Sequence, residues 1–131
     1  MKPRYYLAVV AYCTFIFWLS NQSMPPGSGF KIPHLDKMAH FVLFGGLAAL
    51  VSVGLHRSGK PHLPWVYHVA PVLAVFAYGT FDECHQYFVP NRSPEIVDLI
   101  ADVAGAIAAQ EIFRIWFRGG RWGALPQLDE T

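Results

Sequence analysis

Residues 37–56 form an apolar run of about 20 residues, the length a helix needs to cross the hydrocarbon of a bilayer. The run is apolar nearly all round, whereas a helix on the surface of a soluble bundle keeps a polar outer stripe. The run over residues 65–81 shares this character, and two further apolar runs accompany them: residues 5–20 (YYLAVVAYCTFIFWLS) and an Ala-rich stretch over residues 94–117. Of the 131 residues, 53% are hydrophobic and 15% charged, against roughly a quarter charged in an ordinary soluble domain. That deficit leaves too few polar groups to clothe a surface in water. The expected fold class is all-α, an integral membrane bundle of four transmembrane helices, in preference to a soluble four-helix bundle.

The segments between the runs punctuate them. Lys2 and Arg4 before the first run are compatible with a signal peptide, but SNQSMPPG lacks a small-residue cleavage site and aromatic bulk continues to Trp18, so a retained helix is expected. Residues 20–33 are rich in Pro and Gly and cannot be a helix interior. Asp36 is placed to cap the second helix. Gly45, Gly46 and Gly54 within that helix permit close approach of a neighbour. Residues 57–64 are a short basic loop, and Pro71 is tolerable in a membrane helix as a kink. Ser93-Pro94 reads as an N-cap followed by Pro at the first helical position. The chain divides into a membrane domain, residues 1–118, and a flexible cytoplasmic tail, residues 119–131. Cys13 and Cys84 lie in separate runs and are expected to be unpaired. The net charge of +1 argues against nucleic acid as a partner, which would require a basic face.

Lys/Arg bias sets orientation. With both termini cytoplasmic, the inner segments hold Lys2, Arg4, Arg57, Lys60, Arg114, Arg118 and Arg121, and the outer ones hold Lys31, Lys37 and Arg92. The acids lie mainly at the outer boundary. There the start of the second helix, the end of the third and the start of the fourth meet at one depth. Asp36, Lys37, His40, Asp82, Glu83, Gln86, Arg92, Asp98 and Asp102 can therefore converge in one polar pocket.

Each group has a functional and a structural reading. Asp36 and His40 are four residues apart, on one helix face, so the carboxylate can orient the imidazole for acid/base work; equally, Asp36 caps and His40 is an interfacial side chain. Lys37 can snorkel to the surface, neutralise a carboxylate or bind a phosphate. Asp82 and Glu83 are adjacent acids near hydrocarbon, costly to bury without a cation, and Arg92 and Lys37 are the nearest cations in sequence. Asp98 and Asp102 repeat the i, i+4 spacing; Asp102 is the deepest acid, and a clasp with Arg92 or a proton- or cation-handling site are both open. His40, Glu83, His85, Asp98 and Asp102 are metal-ligand types, but no tight ligand spacing such as HExxH or CxxC occurs, so neither a metal nor a cofactor is expected.

Taken in order, the motifs are D-K-x-x-H (Asp36, Lys37, His40), E-x-x-Q-x-F-x-P-x-R (Glu83, Gln86, Phe88, Pro90, Arg92) and D-x-x-x-[N/D]-x-x-G (Asp98, Asp102, Gly105). This series resembles the VanZ-like family, small polytopic membrane proteins named for a teicoplanin-resistance factor. The chain departs from the family pattern at Asp102, where Asn is usual, and at Asn91, where Gly commonly precedes the Arg. The resemblance implies a multi-pass protein of the bacterial cytoplasmic (inner) membrane, in some members linked to low-level glycopeptide resistance. Teicoplanin has a lipid tail and binds cell-wall precursors at the outer face, the side to which the charge bias assigns the pocket.

Three functional readings follow. In the first, the outer pocket binds an anionic lipid or lipid-linked precursor; Lys37, Arg92 and Gln86 contact the ligand, and Asp36, Asp82, Asp98 and Asp102 form the supporting network. In the second, the protein is a membrane enzyme acting on a lipid phosphate, with His40 or Glu83 as general acid/base. In the third, the polar network fixes helix packing and function resides in a partner.

Overall fold

The computed structural model describes residues 2–22, 35–58, 63 and 65–118. Four helices follow in order: α1 (Pro3–Ser20), α2 (Leu35–His56), α3 (Val66–Gln86) and α4 (Ile96–Arg118). There is no strand among the described residues. Residues 23–34, much of the basic loop and the tail at 119–131 lie outside them.

The helix starts follow local chemistry, with two corrections. Pro3 opens α1, where its missing N–H costs nothing. Asp36 lies inside the first turn of α2 rather than before it; there its charge still meets the positive end of the helix. The fourth helix begins at Ile96, two residues later than Ser93-Pro94 suggested. The reason is tertiary: the backbone N–H of Glu95 donates to Glu83 Oε2 at 2.6 Å, which ties the chain to α3 before it coils. α3 runs on to Gln86, past the apolar run that ended at Phe81, so Asp82, Glu83 and Gln86 are helical.

α2 and α4 run parallel and form the most extensive helix contact. Their pairings step along both helices together: Lys37 with Asp98, His40 with Asp102, Gly45 with Gly105, Ser52 with Gln110, and His56 with Phe113. Small residues make this possible. A Cβ on Gly45 would lie 3.1 Å from the carbonyl oxygen of Gly105, and one on Gly105 would run into the backbone carbonyl of Phe41. Such backbone proximity is what small residues at helix crossings permit. The core beside it consists of Ile16, Phe44, Leu47, Ala48, Val75 and Ala106.

Hydroxyls pin α1 to α2 and α3 to α1. Tyr12 donates to the Leu43 carbonyl at 3.1 Å and Tyr78 to the Cys13 carbonyl at 2.6 Å. Cys13 and Cys84 are free thiols. The outward faces are apolar on all four helices, with Leu7 and Trp18 on α1, Val42 on α2, Leu73 and Phe76 on α3, and Ile100 and Ile112 on α4 exposed. Among the described residues, α2 is the one helix long and apolar enough to cross a membrane on length and composition. α3 and α4 carry acids within their length, and α1 opens on Pro-Arg-Tyr-Tyr.

Candidate functional site

Because α2 and α4 start at the same end at which α3 finishes, their polar residues meet there. Lys37 Nζ lies 2.8 Å from Asp98 Oδ1, 2.8 Å from Glu95 Oε2 and 3.2 Å from Asp36 Oδ2. One turn deeper, His40 Nδ1 lies 2.9 Å from Asp102 Oδ1, both side chains being buried. These two rungs use residues three apart on α2 and four apart on α4, which is how parallel helices present one face to each other.

Partner choice departs from the sequence expectation at several points. His40 is held by Asp102 and not by Asp36, whose half-exposed carboxylate turns to Lys37. Lys37 pairs with neither Asp82 nor Glu83; it is enclosed by acids of α2 and of the α4 start. Glu83 is held by the Glu95 backbone N–H. Asp82 is fully buried, and the Gln86 amide donates to its Oδ2 at 3.3 Å and to Ser20 Oγ at 3.4 Å. Gln86 thus faces α1 and its own helix. Arg92 takes part in none of the ion pairs found among the described residues, and its Nε is buried there without a hydrogen-bond partner.

Three buried carboxylate oxygens also lack partners among the described residues: Asp82 Oδ1, Glu83 Oε1 and Asp102 Oδ2. An unsatisfied buried polar atom costs about 1–3 kcal/mol, more when charged. Glu95, Ser20 and Gly79 were not among the site residues expected from sequence. Glu95 was visible as an acid at the right boundary. Gly79 had no signal: a Cβ there would lie 2.6 Å from Asp102 Oδ2, so its bareness makes room for the deep carboxylate.

Asn91 precedes Arg92 with φ of 61°. This left-handed conformation is cheap for Gly and, among other residues, best tolerated by Asn. The departure from Gly at this position therefore keeps the turn.

A cleft of about 780 Å³ opens beside the polar end. Tyr87, Phe88, Ile96 and Leu99 supply apolar walls, while Glu83 and Glu95 supply acidic ones.

Fold and site together define a small four-helix protein organised around a buried, acid-rich polar cluster at one end, with an apolar cleft beside it. A sequence profile described as VanZ/LLP1 matches residues 4–117, and the chain belongs to this family. The match extends beyond the motif region of residues 36–105 to take in α1 and nearly all of α4. Comparison with curated proteins and with solved structures returned no match.

Proposed function

We propose that this VanZ-like protein spans the bacterial inner membrane four times, with both termini in the cytoplasm, and that its outward-facing polar end binds an anionic lipid or a lipid-linked cell-wall precursor. The observation that carries this reading is the cleft. Its walls are apolar at Tyr87, Phe88, Ile96 and Leu99 and acidic at Glu83 and Glu95, so the apolar part suits an acyl or prenyl chain and the cation for an anionic headgroup has to come from outside the lining. Arg92 lies in the turn between the lining residues Phe88 and Pro94 without lining the cleft itself, and its Nε has no hydrogen-bond partner among the described residues; in this reading its guanidinium supplies the cation for the phosphate. The apolar outward faces of all four helices support the bilayer as solvent. Teicoplanin resistance is the phenotype to examine, because that antibiotic works on lipid-linked precursors at the same membrane face.

Two measurements test it. A single cysteine placed at Asn91, in a background with Cys13 and Cys84 replaced by Ser, should react with a membrane-impermeant maleimide from outside intact cells; protection until the cells are lysed would reverse the topology. Mass spectrometry of gently extracted protein should find anionic lipid or lipid-linked precursor retained by the wild type and depleted in Arg92→Ala. Equal retention in both would refute the headgroup role.

A specific observation favours a second reading, a membrane enzyme acting on a lipid phosphate. His40, buried and paired with Asp102, is oriented as a general acid/base would be. Incubating the purified protein with polyprenyl and glycerolipid phosphates decides this; an unchanged panel removes the reading.

A further inference from the structure

We propose that His40, Glu83 and Asp98 form a binding site for a first-row divalent metal ion such as Zn²⁺ or Mn²⁺. The three residues come from three different helices, α2, α3 and α4, so no short ligand spacing in the sequence could announce them. One donor atom from each lies within 4.8 Å of the others. Donors at ~2.1 Å around a tetrahedral ion are about 3.4 Å apart, so side-chain rotation has to draw the set together by up to about 1.4 Å.

Each donor has capacity left. His40 Nδ1 is taken by Asp102, leaving Nε2 for a metal. A carboxylate behind a ligand imidazole fixes its tautomer and raises its basicity. Glu83 is 8% exposed; its Oε2 accepts from the Glu95 N–H, and its Oε1 is buried with no partner among the described residues. That buried oxygen is a ligand atom with its lone pairs unused, an observation separate from the spacing of the three residues. Asp98 gives Oδ1 to Lys37 and keeps Oδ2.

A neighbouring trio, Asp36, Glu95 and Asp98, has comparable spacing but is already occupied: the Lys37 ammonium lies within 3.2 Å of all three. In the His40 trio the ammonium meets Asp98 alone, through Oδ1, and no ion pair among the described residues joins it to His40 or Glu83. Glu83 also lines the cleft, which gives an ion a way in. Nitrogen and oxygen donors without thiolate suit Zn²⁺, Mn²⁺ or Fe²⁺ rather than a soft ion, and three protein ligands leave a coordination position for water or a ligand oxygen. The assignment does not rest on the lipid reading, and it competes with the enzyme reading for His40, because an imidazole with Nδ1 on Asp102 and Nε2 on a metal has no nitrogen free for acid/base work.

The test uses full-length protein in detergent, incubated with Zn²⁺ or Mn²⁺, desalted and analysed for metal by plasma mass spectrometry. Wild type should retain one equivalent. Glu83→Gln, which keeps an acceptor for the Glu95 N–H, should lose it, and Asp102→Asn, with all three ligands intact, should bind about 10–100-fold more weakly. No retained metal in the wild type, or equal retention in Glu83→Gln, overturns the site. Should the variants fail to fold, Co²⁺ substitution of the wild type decides. Visible d–d bands without thiolate charge transfer support the assignment; absent bands, or a thiolate band assigning the ion to cysteine, overturn it.

Discussion

Replacing Gly105 by Ala tests how the crossing of α2 and α4 governs the polar cluster. The added Cβ would lie 2.9 Å from the carbonyl carbon of Phe41 and 3.1 Å from its Cα, with the carbonyl oxygen nearer still. Carbon atoms settle at roughly 3.5–4.0 Å, and the obstacle is backbone, which has no rotamer to change. The helices must therefore part by roughly 1 Å, and overpacking of this kind costs typically about 1–3 kcal/mol. The damage should reach the site, because Phe41 adjoins His40 and Gly105 is three residues from Asp102. A bond of 2.9 Å stretched by that amount ceases to be one, and a lost hydrogen bond to a charged group adds about 1.5–3 kcal/mol. Gly45→Ala is the control: its Cβ would meet the Gly105 carbonyl at a milder 3.1 Å. Thermal unfolding in detergent should rank wild type above Gly45→Ala and Gly45→Ala above Gly105→Ala. The two variants melting together, at the wild-type temperature, would refute the reasoning.

Other perturbations probe the network piece by piece. Lys37→Met should destabilise more than Asp36→Asn, because it strands the buried Asp98 whereas Asp36 is half-exposed; reversal of that order in a melting assay would show that Asp98 does not depend on Lys37. Glu83→Ala should cost about 1–3 kcal/mol by orphaning the Glu95 N–H, with Glu83→Gln recovering most of it; equal losses in chemical unfolding would mean that this bond does not hold α3 to α4. Asn91→Gly should be nearly neutral and Asn91→Val destabilising by about 1–2 kcal/mol, given the positive φ. A harmless Val in the same melting assay would contradict the left-handed turn.

The four helices could be read from the chain because each is a long apolar run ended by Pro, Gly or charge, and both signals are local. The repeat of Asp98 and Asp102 on one face was equally legible, since helical periodicity is a property of one segment. So was the meeting of three polar helix ends at one boundary, which follows from connectivity once the helices are assigned. Family membership came from the order of the motifs along the chain.

Which acid serves which cation could not be read. His40 and Asp102 are 62 residues apart and Lys37 and Asp98 are 61 apart, and their pairing depends on how α2 is rotated against α4. That rotation is set by Gly45, Gly105 and the Phe41 carbonyl meeting at the crossing. Sequence proximity favoured Asp36 for His40 and Arg92 for the α3 acids; packing gave Asp102 and the Glu95 backbone instead. Composition and periodicity thus determined what kinds of groups arrive at this end of the bundle. Only the close contact of two helix backbones decided which of them touch, because side-chain partners across a bundle are chosen by rotation and separation, and neither is encoded within a single helix.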